Sequence, residues 1–244
     1  MNSVLLTIDV DWAPDFVIDF VAQHLVESRV RATWFITHQS PAVERLRRHP
    51  ELFELGIHPN FLPGSSHGRT TAEVLVHCMG LVPDAKSMRT HALVQSTPLL
   101  TCVLNETPIA YDLSLYLPRA FWARPVEYSV GDRLLVRIPY VWEDDFEMAM
   151  PDPDWTLPSI CDDGERLTVL DFHPIHIYLN SETMAPYAEL KQRHRSLSTI
   201  KQEAIDPFVT EGEGTRAAFG RAIARLSGAG ERVSEYGGRW QRRA

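Results

Sequence analysis

Residues 4–12, VLLTIDVDW, decide the reading of this chain. Val4 to Thr7 begin a buried strand, yet the strand runs directly into Asp9 and Asp11 before meeting Trp12 and Pro14. In an extended chain, residues two apart point to the same side, so both carboxylates are expected to leave the strand facing one spot. Two like charges there repel unless something positive lies beside them.

Working outward, apolar strand-like runs alternate with helical spacing. DFVIDFVAQHLVES places Phe16, Val17, Phe20, Val21 and Leu25 on one helix face, and RATWFIT reads as a second strand. SPAVERLRRHP starts a helix with Ser40 as N-cap and Pro41 at the first helical position. LFELGIH is a third strand, RTTAEVLVHCMGLV a helix, KSMRTH a fourth strand, TPLLTCVLN a helix and PIAYDLSL a fifth strand. RLLVRIPYV and RLTVLDFHPIHIYL are read as later strands. This alternation predicts an α/β fold with a parallel sheet or barrel and helices outside. Asp9, Asp11, His58, Arg89, His91 and His173 then all fall at strand ends, on the rim where such folds gather ligands and catalytic groups.

The 244 residues, 44% hydrophobic and 23% charged, suit one globular domain, residues 1–244, whose last ~15 residues, ending GGRWQRRA, read as a frayed tail. Net charge is 24 − 32 = −8, which argues against nucleic acid as a partner. Cys78, Cys102 and Cys161 show no metal or redox spacing and read as reduced core residues. No leader-like or membrane-spanning run is visible, so the cytoplasm is the expected compartment.

TIDVDW, ATWFIT, LGIHPNF, MRTHAL and LDFHPIH, in this order from Thr7 to His176, together resemble the polysaccharide deacetylase family (carbohydrate esterase family 4, the NodB-homology domain). HPNFLPGSSHG and FHPIHIYLN are most similar to the branch associated with O-antigen and surface-polysaccharide biosynthesis. The resemblance implies a distorted (β/α)7-type barrel and a divalent metal, usually zinc, with cobalt or nickel as alternatives. It implies hydrolysis of an N-acetyl group on an amino sugar. Matched residue by residue, Asp9 is the catalytic base, Asp11 a metal ligand, His58 another ligand, Arg89 the arginine that orients the base and His173 the general acid. Many relatives have the two acids adjacent, whereas Val10 separates them here. The position four after His58, where the family has its second histidine ligand, is Leu62, so the third ligand is expected to be His67, with His91 as the alternative and Asn60, water or no protein ligand as further options. Trp12, Asn60, His91, Trp142 and His176 are expected to line the substrate site, and Trp142 is followed by a run of acids, Glu143 to Asp145, whose role stays open.

The chemistry asks for such groups. One carboxylate and two imidazoles can hold zinc with a position open and lower the pKa of bound water to about 7. Asp11 would be neutralised by ligation, while Asp9 takes the water's proton with its charge balanced by Arg89. Other readings of the same residues exist. A D-x-D at a strand end also serves glycosyltransferases as a metal-diphosphate clamp. His24, His38, His49, His77 and His194 are read as structural, and His176 could contact substrate, orient His173 or only hydrogen-bond locally. Without a leader, the expected substrate is a nucleotide- or lipid-linked precursor. The alternatives are a metal hydrolase of another small amide or formyl group and a non-catalytic sugar-binding protein. The polar segment SETMAPYAELKQRHRSLSTIKQEA is read as an outer packing helix rather than a lid, and Thr215 as a helix cap.

Overall fold

A computed structural model describes residues 3–157, 167–194 and 196–242. Cys161 lies outside the described residues. The chain begins β1 (Ser3–Asp9), α1 (Asp15–Glu27), β2 (Ala32–Ile36), α2 (Pro41–Leu46), β3 (Phe53–Ile57), α3 (Thr71–Leu81), β4 (Ser87–Met88) and α4 (Thr97–Glu106). It continues β5 (Tyr111–Asp112), β6 (Val126–Val130), β7 (Arg133–Arg137), β8 (Trp142–Glu143), α5 (Asp144–Glu147), β9 (Leu167–Phe172) and α6 (Pro174–Leu179). Four more helices follow, α7 (Ala185–Arg193), α8 (Gln202–Ile205), α9 (Thr215–Leu226) and α10 (Val233–Gln241).

The nine strands form one sheet in the order β6-β7-β5-β4-β3-β2-β1-β9-β8, parallel except for the β6–β7 hairpin. It curls into a half-barrel, as the expected distorted barrel requires, and its end strands β6 and β8 are not paired with each other. β1 sits centrally, in parallel register with β2 and β9. It is covered on both faces, which is why it reads as a continuous apolar run. The period-2 pleat sorts its side chains. Leu6 and Ile8 join the outer core under the helices, while Leu5 joins an inner core with Phe35, Val136, Ile138, Tyr140 and Val169. Gly56 on β3 has no room for a side chain, since a Cβ would meet Ser87 at 2.7 Å and Phe35 at 2.8 Å.

Three expectations need correction. PIHIYL is helix rather than strand, because Pro174 cannot donate to a ladder and is favourable at a first helical position. The chain end is not frayed through residue 241. Helix α10 closes the bottom of the inner core with buried Val233 and Tyr236, and Val233 N–H donates to Thr33 Oγ1 (3.0 Å). Its amphipathic face, Val233 and Tyr236 with Trp240, overrides the basic composition. Thr215 does not cap α9; its hydroxyl donates to Ser181 O, and Asn180 Oδ1 accepts the Arg216 and Ala217 N–H groups instead.

Gly237 is where α10 docks, since a Cβ would fall 2.2 Å from the Tyr111 ring. Gly237→Ala is therefore expected to destabilise the protein by about 1–3 kcal/mol through overpacking, read as a lowered thermal midpoint; an unchanged midpoint would mean α10 is not held there.

Candidate active site

The inner face of the half-barrel turns polar toward the carboxyl ends of its strands. Leu5, Thr7 and Asp9 succeed one another on one side of β1, and Asp171 on β9 lies in register with Thr7. Arg89, just past β4, enters this layer fully buried. Its Nη1 donates to Asp9 Oδ1 (2.8 Å) and to Asp171 Oδ1, its Nη2 to Thr7 Oγ1 (2.9 Å) and its Nε to Leu113 O (3.2 Å). Burial disfavours the guanidinium charge, but Asp171 and Asp9 more than offset this and hold the pKa above its ordinary value. Burial pushes Asp171 well above the carboxylate range, with Arg89 pulling the other way.

Asp11 reaches the site by a route other than strand alternation. β1 ends at Asp9, and Asp11 and Trp12 adopt left-handed backbone (φ 43° and 55°), held by Trp12 N–H donating to Thr37 Oγ1 (3.0 Å). The turn brings Asp11 Oδ1 to 3.2 Å from His58 Nε2 and 3.1 Å from His91 Nδ1. Asp9 Oδ2 is 3.6 Å from the same His58 nitrogen. Burial acts to raise the Asp11 pKa, yet the hydrogen bonds from His58 and His91 outweigh it and hold the carboxyl well below its usual range. The donor atoms of Asp11, His58 and His91 all lie within 4.8 Å of one another. One carboxylate and two imidazoles converging on one point, with His91 24% exposed on its side chain, fit a divalent ion with an open side.

His67 is not brought to this point. Its Nε2–H donates to Thr37 O (2.8 Å), while its Nδ1 accepts from Asn60 N–H (3.1 Å) and faces Cys78 Sγ (3.4 Å). Both ring nitrogens are spent on holding the loop after β3, so the alternative residue, His91, takes the place beside Asp11 and His58. Asn60 Oδ1 accepts Leu62 N–H (3.0 Å) and so helps shape the same loop. Trp12 packs against the His67 and His91 rings (centroids 5.4 and 5.2 Å) at the edge of the site. Trp142 is no substrate wall: it is buried against Phe172 and Trp155, and its indole donates to Asp154 O.

His173 sits at the end of β9, with Nε2 3.8 Å from Asp11 Oδ2. Asp144 grips it twice, accepting the backbone N–H (2.8 Å) at Oδ2 and Nδ1–H (2.7 Å) at Oδ1. Burial works against the imidazolium, but Asp144 more than compensates, so His173 is held well above the ordinary histidine value. His176 pairs its Nδ1 with Ser181 Oγ (3.1 Å) under the Tyr187 ring (4.7 Å); burial, then the charge on His173, drives its pKa down to about 3. Reading the sequence missed Asp171 and Thr7, and left Asp144 unresolved within its acidic run. The available signal for Asp171 is a lone acid inside the apolar run LTVLDF, whose six residues are all buried.

The half-barrel carrying aspartates and histidines on its open rim is the polysaccharide deacetylase (NodB) fold. A family model described as WbmS-like polysaccharide deacetylase matches residues 6–191, and the chain belongs to that family. Among solved structures it is similar to WbmS from Bordetella bronchiseptica, described as a putative polysaccharide deacetylase involved in O-antigen biosynthesis (35% identity, TM-score 0.77, 91% of this chain and 90% of that one). More distant are a family 4 acetyl xylan esterase from Clostridium thermocellum in complex with cobalt (17%, TM-score 0.39, 71% and 74%) and a family 4 pseudoenzyme from Bacillus anthracis (13%, TM-score 0.40, 96% and 64%). No curated protein matches the chain.

Burial holds the His67 pKa down to about 4, below the ordinary value of 6.5. A depressed histidine stabilises the fold above its unfolded pKa and loses that contribution as pH falls through the folded one. His67→Ala is expected to cost about 1–3 kcal/mol near neutrality by leaving buried partners unpaired, with the deficit against wild type shrinking as pH drops from 6.5 toward 4. Denaturant melts across that range check it; a pH-independent deficit would show that His67 is not held neutral.

Proposed function

We propose that this protein is a metal-dependent hydrolase that removes an N-acetyl group from an amino sugar, on a nucleotide- or lipid-linked precursor of surface polysaccharide such as O-antigen. One observation carries the reading: the Asp11, His58 and His91 donors converge between a carboxylate anchored by a cation, Asp9 on Arg89, and an imidazole anchored by a carboxylate, His173 on Asp144. Similarity to the Bordetella protein, itself placed in O-antigen biosynthesis, supports the substrate class, and no described helix is long and apolar enough to cross a membrane.

Asp11, His58 and His91 would hold the ion, with zinc suited to this donor set and cobalt or nickel as substitutes. When bound, the ion supplies Lewis acidity to the amide carbonyl and to water. Asp9 keeps Oδ1 on Arg89 and turns Oδ2 toward the site, where it accepts the proton of the attacking water. His173, with Nδ1–H fixed by Asp144, presents Nε2–H to the departing nitrogen. The carbon–nitrogen bond breaks, the amine leaves protonated, and the products are acetate and a free amino sugar.

About one divalent ion per chain is expected by elemental analysis, as a single ion on Asp11, His58 and His91 requires, and Asp11→Ala, His58→Ala or His91→Ala should lose it while His67→Ala retains it. A protein that takes up neither zinc nor cobalt would fit a non-catalytic sugar binder. Asp9→Asn should keep the ion and lose about 10²- to 10⁴-fold in turnover, measured as acetate release from N-acetylated sugar nucleotides. No acetate from any of them with metal-loaded wild type would redirect the assignment to other amides.

His173→Ala should impair amide cleavage far more than cleavage of an activated acetate ester, whose leaving group departs without a proton. Comparing acetate release from the two substrates tests this, and equal losses would make His173 structural or a ligand.

A further inference from the structure

Asp171 has no part in the chemistry described above, yet it occupies a demanding position. It is 0% exposed in a strand buried on both faces. Its Oδ1 accepts from Thr7 Oγ1 (2.9 Å) and from Arg89 Nη1, while its Oδ2 is buried with no hydrogen-bond partner. A carboxyl satisfied on one oxygen only is costly to bury. An apolar side chain would serve β9 better if packing were all that mattered.

The neighbouring cation shows what the acid does. A guanidinium usually meets a carboxylate as a fork, with two parallel N–H bonds. Arg89 does not do so with Asp9. Only Nη1 reaches Asp9, and that nitrogen is shared with Asp171; Nη2 is held by Thr7, whose single hydroxyl proton is shared between Asp171 Oδ1 (2.9 Å) and Leu170 O (2.7 Å). Asp9 therefore keeps Oδ2 out of the cation's grip, 3.6 Å from His58 Nε2.

We propose that Asp171 is a positioning residue for Asp9: by holding Nη1 directly and Nη2 through Thr7, it stops Arg89 from forking onto Asp9 and leaves the second Asp9 oxygen aimed at the substrate side. The inference rests on Asp9 being the general base. It assigns Asp171 to the reaction without contact to substrate or metal.

Asp171→Ala removes the acceptor, and Arg89 is then expected to swing both Nη atoms onto Asp9. A crystal structure of the variant should show the fork. Turnover should fall at least about tenfold, a part of what a general base is worth, with KM and bound metal unchanged. Asp171→Asn retains an oxygen that accepts from the same two donors, so it should restore kcat to within a few-fold and keep the one-armed contact to Asp9. Wild-type kcat in Asp171→Ala, an unmoved Arg89, or an asparagine variant as impaired as alanine would each overturn the proposal. If Asp171→Ala does not fold, Thr7→Val frees Nη2 and should lower kcat at constant KM, and the asparagine variant still decides between positioning and charge. If metal-loaded wild type releases no acetate, the deacetylase reading fails, while the position of Arg89 in the variants still shows whether Asp171 holds it off Asp9.

Discussion

The buried guanidinium of Arg89 is the constraint on which the rest of the structure depends. It is fully buried between the ring faces of Tyr140 (4.3 Å) and Phe35 (4.9 Å), and it binds groups from β1, β9 and the end of β5. Asp9 and Asp171 meet in the barrel interior, and removing the cation would leave the Asp9 carboxylate uncompensated, a loss of about 3–5 kcal/mol for breaking a buried pair. Lysine could not replace it: a point charge cannot reach Leu113 O, Thr7 and two carboxylates in one plane.

This cation marks the level at which the interior changes character. Below it, Leu5, Phe35, Val136 and Val169 meet the α10 residues Val233 and Tyr236, so the bottom of the half-barrel is a packed core. Above it, the same pleat positions carry Asp9, His58 and His173. Strands β1 and β9 therefore each supply an apolar and a polar layer, and α10 is needed because the lower layer would otherwise face water. Residues Val233–Gln241 belong to the fold for the same reason.

Much of the architecture was legible because two periodicities are clean. DFVIDFVAQHLVE repeats at helical spacing, and Ser40 with Pro41 marks a helix start that the structure reproduces, the Ser40 hydroxyl accepting Val43 N–H. Asp9, Asp11, His58, Arg89, His91 and His173 could be placed near strand ends because those ends are readable, although Asp11 arrives through a turn and Arg89 is fully buried beneath the others. What could not be read depended on side chains meeting across the barrel. His67 and His91 are equivalent as residue types, and what separates them is that His67 donates to Thr37 O and accepts from Asn60 N–H whereas His91 lies beside Asp11. Trp142 next to acids resembles a site residue, yet its pleat position turns it into the core. Asp171 was hidden in an apolar run because burial on both faces erases the alternation that would have flagged an inward acid.

The backbone is also strained at the rim. Asp11 and Trp12 are consecutive left-handed residues, as are Ala92 and Leu93, immediately after His91. Such positions cost on the order of 1 kcal/mol or more each for residues with a Cβ, and here they flank two of the three converging donors. Each strained turn is tied to its neighbour: Trp12 N–H to Thr37 Oγ1, His91 N–H to Pro59 O, and Leu93 N–H to Thr90 O. A relaxed chain would carry Asp11 onward along the strand direction, away from His91. The turn after β1 folds it back over the sheet end, so the insertion of Val10 between the two acids is compatible with a compact site. Val10 itself is fully buried in the outer core and anchors the turn. The strain, the buried valine and the split acidic motif are one device, in which local conformational energy is exchanged for donors fixed before any ligand arrives.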